Sequence, residues 1–191
     1  SALRRAGAVV KEGVFTMLTC GTSIVGVGLL GKTGAADWLM WLAAASILLA
    51  SLVAVTKDDL KARLAYSTVS QLSYITLGVA LANQMGVIGG SMHIVMHAMG
   101  KITLFMCAGA IYVAAHKTKV SELDGLGRKI PVTFICFTLA ALSIIGLPPF
   151  GGAWSKWYLM LSAAEADQLV IIGVLIVSSL LNVAYLLPIP A

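Results

Sequence analysis

The chain has 191 residues, of which 59% are hydrophobic and 11% charged, with a mean hydropathy of +0.95. A soluble domain carries about 25% charged residues, so this composition excludes a water-soluble globular protein and describes an integral membrane one. The net charge of +5 is no nucleic-acid signal, because the cations sit in short loops between apolar spans rather than in a basic run interleaved with aromatics.

Six apolar segments predict an all-α polytopic transmembrane helix bundle with six spans, one of them discontinuous. The first covers residues 6–30 and is interrupted by Lys11 and Glu12. These two neighbours point about 100° apart on a helix, so adjacency alone does not pair them. Lys11 lies about two turns from one end, where snorkelling to the interface is an alternative to a buried role. The second span covers 38–56 and the third 64–82. The third opens with TKDDLKARLAYSTVSQLSYITLG, in which Asp58 or Asp59 is placed to cap the helix. Its first half is polar, with Ser67, Thr68, Ser70, Gln71, Ser73 and Tyr74 available to bond across helices or to hold a water file.

The fourth span, 87–115, holds His93, His97 and Lys101 in GGSMHIVMHAMGKITLFMCAGAIYVAA. Positions i, i+4 and i+8 drift about 40° per step, so the three side chains share one face. A cation near the middle of such a span costs roughly 3 kcal/mol on insertion scales. Chains bear that cost where the charge faces protein or water and moves something. His93 and His97 also match the spacing of two metal ligands. The zincin pattern, however, needs Glu where Ile94 stands, and Lys101 on the same face repels a divalent cation. No metal and no other cofactor is expected.

The fifth segment, 130–162, is broken by GLPPFGG. Pro148 and Pro149 remove two backbone donors, and Gly146, Gly151 and Gly152 permit geometries a helix does not. Two half-helices around an unwound stretch are predicted, a common ion-site device of transporters. Lys156 follows the break by about one turn; a proline kink at an ordinary packing site is the bland alternative. The sixth span covers 168–188.

With six spans, nine of the 13 basic residues fall on one side: Arg4, Arg5, Lys57, Lys61, Arg63, Lys117, Lys119, Arg128 and Lys129. Only Lys32 falls on the other, and Lys11, Lys101 and Lys156 lie within spans. This asymmetry predicts both termini on the cytoplasmic or matrix side. Cys20, Cys107 and Cys136 are widely spaced in apolar segments and read as small buried hydrophobes. No signal peptide is visible. The chain lacks an initial Met and ends in LLPIPA as a span finishes, which reads as a piece of a larger protein or half of a split one.

A buried lysine loses affinity for its proton and becomes a workable carrier, and histidine titrates near neutral pH. Lys11, Lys101 and Lys156, with His93 and His97 between them, are therefore expected to form a relay, pictured as horizontal at mid-membrane. A charge-bearing span argues against a non-conducting scaffold that only packs partner subunits. A sodium transporter working in its own right would want a carboxylate at mid-membrane, and Glu12 is the only intramembrane acid.

The stretches KDDLKARLAYSTVSQLSYI, MHIVMHAMGKITLFMCAGAIYVAAHKT, VSELDGLGRKIP and SIIGLPPFGGAWSKWYL resemble the antiporter-like subunits of respiratory complex I, of multi-subunit Mrp sodium/proton antiporters and of membrane-bound hydrogenases. The wording AVVKEGVF and SELDGLGRKIP looks closer to the Mrp D-subunit type than to the mitochondrial type. The resemblance implies two inverted five-helix repeats. Residues 1–30 would be the last helix of the first repeat, and 31–191 the second repeat with its helix broken near 146–152. It implies that Lys101 is the central proton carrier, Lys156 the lysine of the broken helix and Lys11 the link between half-channels. Lys61 would mark the cytoplasmic entrance, and Pro148, Pro149 and Gly151 the break. Relatives usually have Leu-His where Arg4-Arg5 stands and a small residue at Glu12, departures that fall near the link. No Cys cluster, Rossmann-type Gly-rich turn or haem-ligand pattern occurs, so any NADH:quinone oxidoreductase chemistry would sit in partner subunits. The implied partners are other membrane subunits, the first repeat of the same subunit, and protons or sodium as cargo, with no nucleic acid. The implied location is the bacterial inner membrane or its mitochondrial counterpart.

Overall fold

The computed structural model describes residues 37–123 and 125–189. Among them are six α-helices, two 3-10 turns and no strand: α1 (Asp37–Thr56), α2 (Leu60–Ala80), α3 (Gln84–Ala115), α4 (Pro131–Ile145), α5 (Gly151–Glu165) and α6 (Leu169–Leu186). The chain is an all-α membrane bundle. α1, α3 and α6 are each long and apolar enough to cross a bilayer. α2 has the length but carries the polar face read from its sequence. α4, with 15 residues, is too short alone and continues after the break as α5. The expected first span, with Lys11 and Glu12, lies outside the described residues, as do Arg4 and Arg5.

Local chemistry sets the helix ends. Asp59 caps α2, its carboxylate accepting from Ala62 N at 2.8 Å, and Asn83 caps α3 by accepting from Gly86 N at 2.8 Å. α2 therefore starts four residues before the hydrophobic run that announced it. Pro131 opens α4 at its first turn, where a missing N–H costs nothing. Gly146, with φ of 91°, closes α4 in the left-handed region that only glycine enters freely.

Asp58 does not cap a helix. Its carboxylate accepts from Ser121 N at 3.1 Å and from Ser121 Oγ at 2.8 Å, while Leu60 N bonds Thr118 O at 2.9 Å and Val120 N bonds Asp58 O at 2.8 Å. The α1–α2 turn is thereby clamped to the α3–α4 loop. The Ser121 hydroxyl, then its amide, hold the Asp58 carboxyl below its ordinary pKa. The folded value being the lower one, the clamp is fully stabilising above the unfolded pKa and is lost as pH falls through the folded one. The exchange protection factor of the Ser121 amide is expected to drop on acidification below about pH 4. Asp58→Asn is expected to show that low protection already at neutral pH. Unchanged protection in both cases would dismiss the clamp.

Inside the bundle, Ser51 of α1 bonds Ser70 of α2 at 2.8 Å and Ser178 of α6 at 3.2 Å. These three hydroxyls satisfy one another where no water need enter, the usual interhelical glue of membrane bundles. Cys107 is buried as expected, whereas Cys136 points outward from α4; α4 presents that side to the surroundings, where a small apolar thiol is equally at ease.

Candidate functional site

α3 carries His93, His97 and Lys101 on one face, and all three are buried, with 3%, 2% and 3% of their surface exposed; Lys156 of α5 is 5% exposed. The described acids Asp37, Asp58, Asp59, Glu122, Glu165 and Asp167 lie at helix ends or in loops. Among the described residues, the groups that accept from the two amines are therefore neutral.

Lys101 Nζ donates to Leu64 O at 3.0 Å and, by a short bond, to Ser67 Oγ, both on α2. Lys156 Nζ donates to Ile145 O at 2.8 Å and to Ser179 Oγ at 3.3 Å. Ile145 is the last residue of α4, so its carbonyl has no intrahelical partner and belongs to the negative end of that half-helix. The break at Gly146, Pro148, Pro149 and Gly151 thus delivers a free carbonyl and a helix dipole to a buried lysine. Lys156 Nζ also stands 5.3 Å from the centroid of the Tyr74 ring, a cation–π contact. On Tyr74 the His93 ring stacks at 5.3 Å, and His97 stacks on His93 at 6.1 Å.

His93 is held by two helices. Its Nε2 meets Gln71 Oε1 of α2 at 3.1 Å and its Nδ1 meets Ser155 Oγ of α5 at 2.9 Å; Ser155 Oγ also bonds Gly152 O at 3.1 Å. Gln71 Oε1 can only accept, so Nε2 carries a proton. Neutral His93 then accepts at Nδ1 from the Ser155 hydroxyl. Protonated His93 donates there instead, and the single Ser155 hydrogen turns to Gly152 O. One hydroxyl rotation accommodates both charge states. Both ring nitrogens are engaged, which leaves no lone pair directed at a metal. A cavity of about 10 Å³, at the lower limit for one water, is lined by Gln71, His93, Met96, His97, Ser143, Ile144 and Gly152.

The row is inclined rather than horizontal. Lys101 meets α2 at Leu64 and Ser67, His93 meets it at Gln71, and Lys156 lies over Tyr74. From Leu64 to Tyr74 is ten residues of α2, about 15 Å of rise. The reason is elementary: side chains stacked at i, i+4 and i+8 run along their own helix axis. Lys101 consequently sits nearer the end bearing Lys57, Lys61, Arg63, Lys117, Lys119, Arg128 and Lys129 than the end bearing Asp37, Glu165 and Asp167.

The structure brings Lys101, His97, His93 and Lys156 onto one track. Lys61 is exposed, with Nζ 4.8 Å from the Tyr112 centroid on the outer side of α3. Arg63, two residues on, points inward: its Nε donates to Lys57 O at 2.7 Å and its Nη1 to Tyr185 O at 3.2 Å. Lys11 lies outside the described residues. Ser155 and Tyr185 were not singled out from sequence; only the adjacency of Ser155 to Lys156 hinted at it.

Comparison with known proteins shows the family. Residues 1–182 match the family described as NADH:quinone oxidoreductase/Mrp antiporter, TM. The chain is 45% identical over 147 residues to NADH-quinone oxidoreductase subunit N of Desulforudis audaxviator, covering 77% of this chain and 29% of that protein. It is 32% identical over 187 residues to hydrogenase-4 component B of Escherichia coli, covering 87% and 27%. The solved structure of the Mrp complex from Dietzia sp. DQ12-45-1b superposes with a TM-score of 0.86 at 30% identity, over 94% of this chain and 33% of that one. The chain thus spans under a third of the length of these curated relatives. On the extent of the family match and the helices it covers, the chain belongs to the NADH:quinone oxidoreductase/Mrp antiporter transmembrane family.

Proposed function

We propose that this chain moves protons across an energy-coupling membrane as part of an antiporter-like subunit in a multi-subunit complex. Lys101, His97, His93 and Lys156 are its relay, and Lys11 is the link to the preceding half-channel. The observation that carries the reading is a pair of buried amines on neutral acceptors, joined through a histidine that can hold or release a proton with one turn of the Ser155 hydroxyl. A scaffold needs no such groups, and burial of both lysines removes them from lipid. Family membership and relatives named as oxidoreductase, hydrogenase and Mrp components support the same reading. On this reading α1 to α6 are the second five-helix repeat, the basic end faces the cytoplasm or matrix, and the membrane is the bacterial inner one. Partners are the other membrane subunits of an NADH:quinone oxidoreductase or Mrp-type assembly.

The test is proton uptake by inverted membrane vesicles containing the assembled complex, followed by quenching of a pH-sensitive dye with and without sodium. Lys101→Ala is expected to remove it, and full uptake in that variant would end the proposal. Sodium-dependent uptake would assign the cargo differently. Tyr74 gives a graded check. Tyr74→Phe keeps the ring beneath Lys156, while Tyr74→Leu forfeits a cation–π contact of about 1–2 kcal/mol and is expected to slow uptake by about tenfold. Equal rates in the two variants would show that the ring does not stabilise the Lys156 cation.

A further inference from the structure

Two lysines at the basic end stand on tyrosine rings on the outside of the bundle. Lys61 Nζ lies 4.8 Å from the centroid of Tyr112, near the end of α3, and Lys57 Nζ lies 5.8 Å from that of Tyr66 on α2. Both lysines are exposed, and the two rings keep 43% and 39% of their surface. Among the described residues the rings are the only partners of these ammonium groups. The neighbouring acids are engaged elsewhere: Asp59 accepts from Ala62 N, and Asp58 from Ser121. A ring face meets one side of an ammonium and leaves donors free for an anion. The two pairs flank one surface. Lys61 and Tyr66 are five residues apart on α2 and point about 140° apart. Ala62, Ala65 and Val69 lie on the outward arc between them, with Ala65 and Val69 exposed. Val69 stands about 12 Å along α2 from Lys61, in the direction of the bilayer centre. Cations thus come first, at the level where α1 and α3 end, and bare apolar surface follows below them.

We propose that the outward side of α2 is a binding site for an anionic phospholipid, its phosphate held between Lys57 and Lys61 and an acyl chain lying over Ala65 and Val69. Basic sites between membrane helices at the positive side select anionic headgroups, and tyrosines favour the same interfacial depth. The order of cation and apolar surface along α2 matches one lipid molecule: headgroup, then chain. A carboxylate on a soluble partner would satisfy the lysines but would leave the apolar arc uncovered. The site neither needs nor contradicts the proton relay. It does touch the same helix: on its opposite arc this stretch of α2 carries Leu64 and Ser67, the acceptors of Lys101. A headgroup here steadies the turns of α2 that hold the buried amine.

The test uses the assembled complex reconstituted in phosphatidylcholine vesicles that carry one of two photo-crosslinking lipids. One probe has a phosphatidylglycerol headgroup and the other a phosphatidylcholine headgroup, and crosslinks to residues 57–69 are quantified by mass spectrometry. The anionic probe is expected to label this stretch about twenty-five-fold more than the zwitterionic one. Lys57→Gln and Lys61→Gln leave the buried face of α2 alone, and each is expected to lower that excess by about fivefold, the effect of one interfacial lysine. The double variant is expected to abolish it, and Lys57→Arg with Lys61→Arg to keep it. Equal labelling by the two probes in the wild type overturns the proposal, as does an excess that survives both Gln substitutions. If the double variant fails to assemble, an unchanged excess in the two single variants overturns it instead. Labelling by neither probe means that a polypeptide covers this face and also overturns it. An excess that vanishes when inorganic phosphate replaces chloride at constant ionic strength assigns the lysines to a free anion and overturns the lipid.

Discussion

Lys101→Met is expected to leave the bundle at least as stable as the wild type and to abolish proton uptake, by about a hundredfold or more. The first half follows from what the lysine leaves behind. Leu64 O keeps side-chain donors from Ser67 at 3.3 Å and Thr68 at 2.9 Å, and Ser67 Oγ loses an accepted bond but keeps the one it donates, so removing the ammonium leaves neither group without a partner. Methionine refills the space of the stem, and the cost of burying a cation disappears, so substitution by a well-packed apolar residue is neutral or stabilising. The second half follows from the site: without Nζ no described side chain between Ser67 and the α3 histidines takes up a proton. Lys101→Arg sharpens the result. Arginine keeps the charge but does not release a proton in proteins, so it is expected to fail as completely as methionine. Thermal unfolding in detergent and dye quenching in vesicles read the two halves separately. Uptake retained by Lys101→Arg would mean that Lys101 acts by fixed charge rather than by exchange.

Much of this site could be read along single helices. The shared face of His93, His97 and Lys101 is a property of helical period alone, and the break at 146–150 is written in two prolines and three glycines. Asp59 and Asn83 act as caps through bonds to residues three further on. What sequence could not supply is the rotation of one helix against another. Gln71 and Ser67 read as interhelical glue, and that is their chemistry, but which partner each meets depends on how α2 turns toward α3. The same holds for Arg63 and Lys61: two residues apart on a helix they point about 160° away from each other, and packing decides that Arg63 is the inward one. Tyr185 carried no signal at all, because an aromatic near the end of an apolar span is ordinary at a membrane interface. The inclined track was legible in principle, since stacked positions follow their axis. It was obscured by picturing the carriers as points at one depth.

Gly152→Ala is expected to be the most damaging single methyl in the bundle. Gly152 stands in the first turn of α5, and a Cβ there would collide with Ser143 O, a backbone atom of α4. Neither side is a flexible side chain that can swing away, so the two half-helices must separate. Ser155 and Lys156 lie in the same turn and the next, and they move with the backbone. The 2.9 Å contact of Ser155 with His93 and the 2.8 Å bond of Lys156 to Ile145 O are the contacts that separation breaks. Overpacking of this kind costs about 1–3 kcal/mol, and uptake is expected to fall to the level of a Lys156→Ala variant. Gly173→Ala is the matched control: a Cβ there meets nothing within 4 Å, and α6 gains helix propensity of up to about 1 kcal/mol. Thermal unfolding and proton uptake measured side by side on the two variants separate a general intolerance of added methyls from the particular closeness of α4 and α5. Wild-type behaviour in Gly152→Ala would mean that the half-helices are not in backbone contact, and the carbonyl that steadies Lys156 would then need another source.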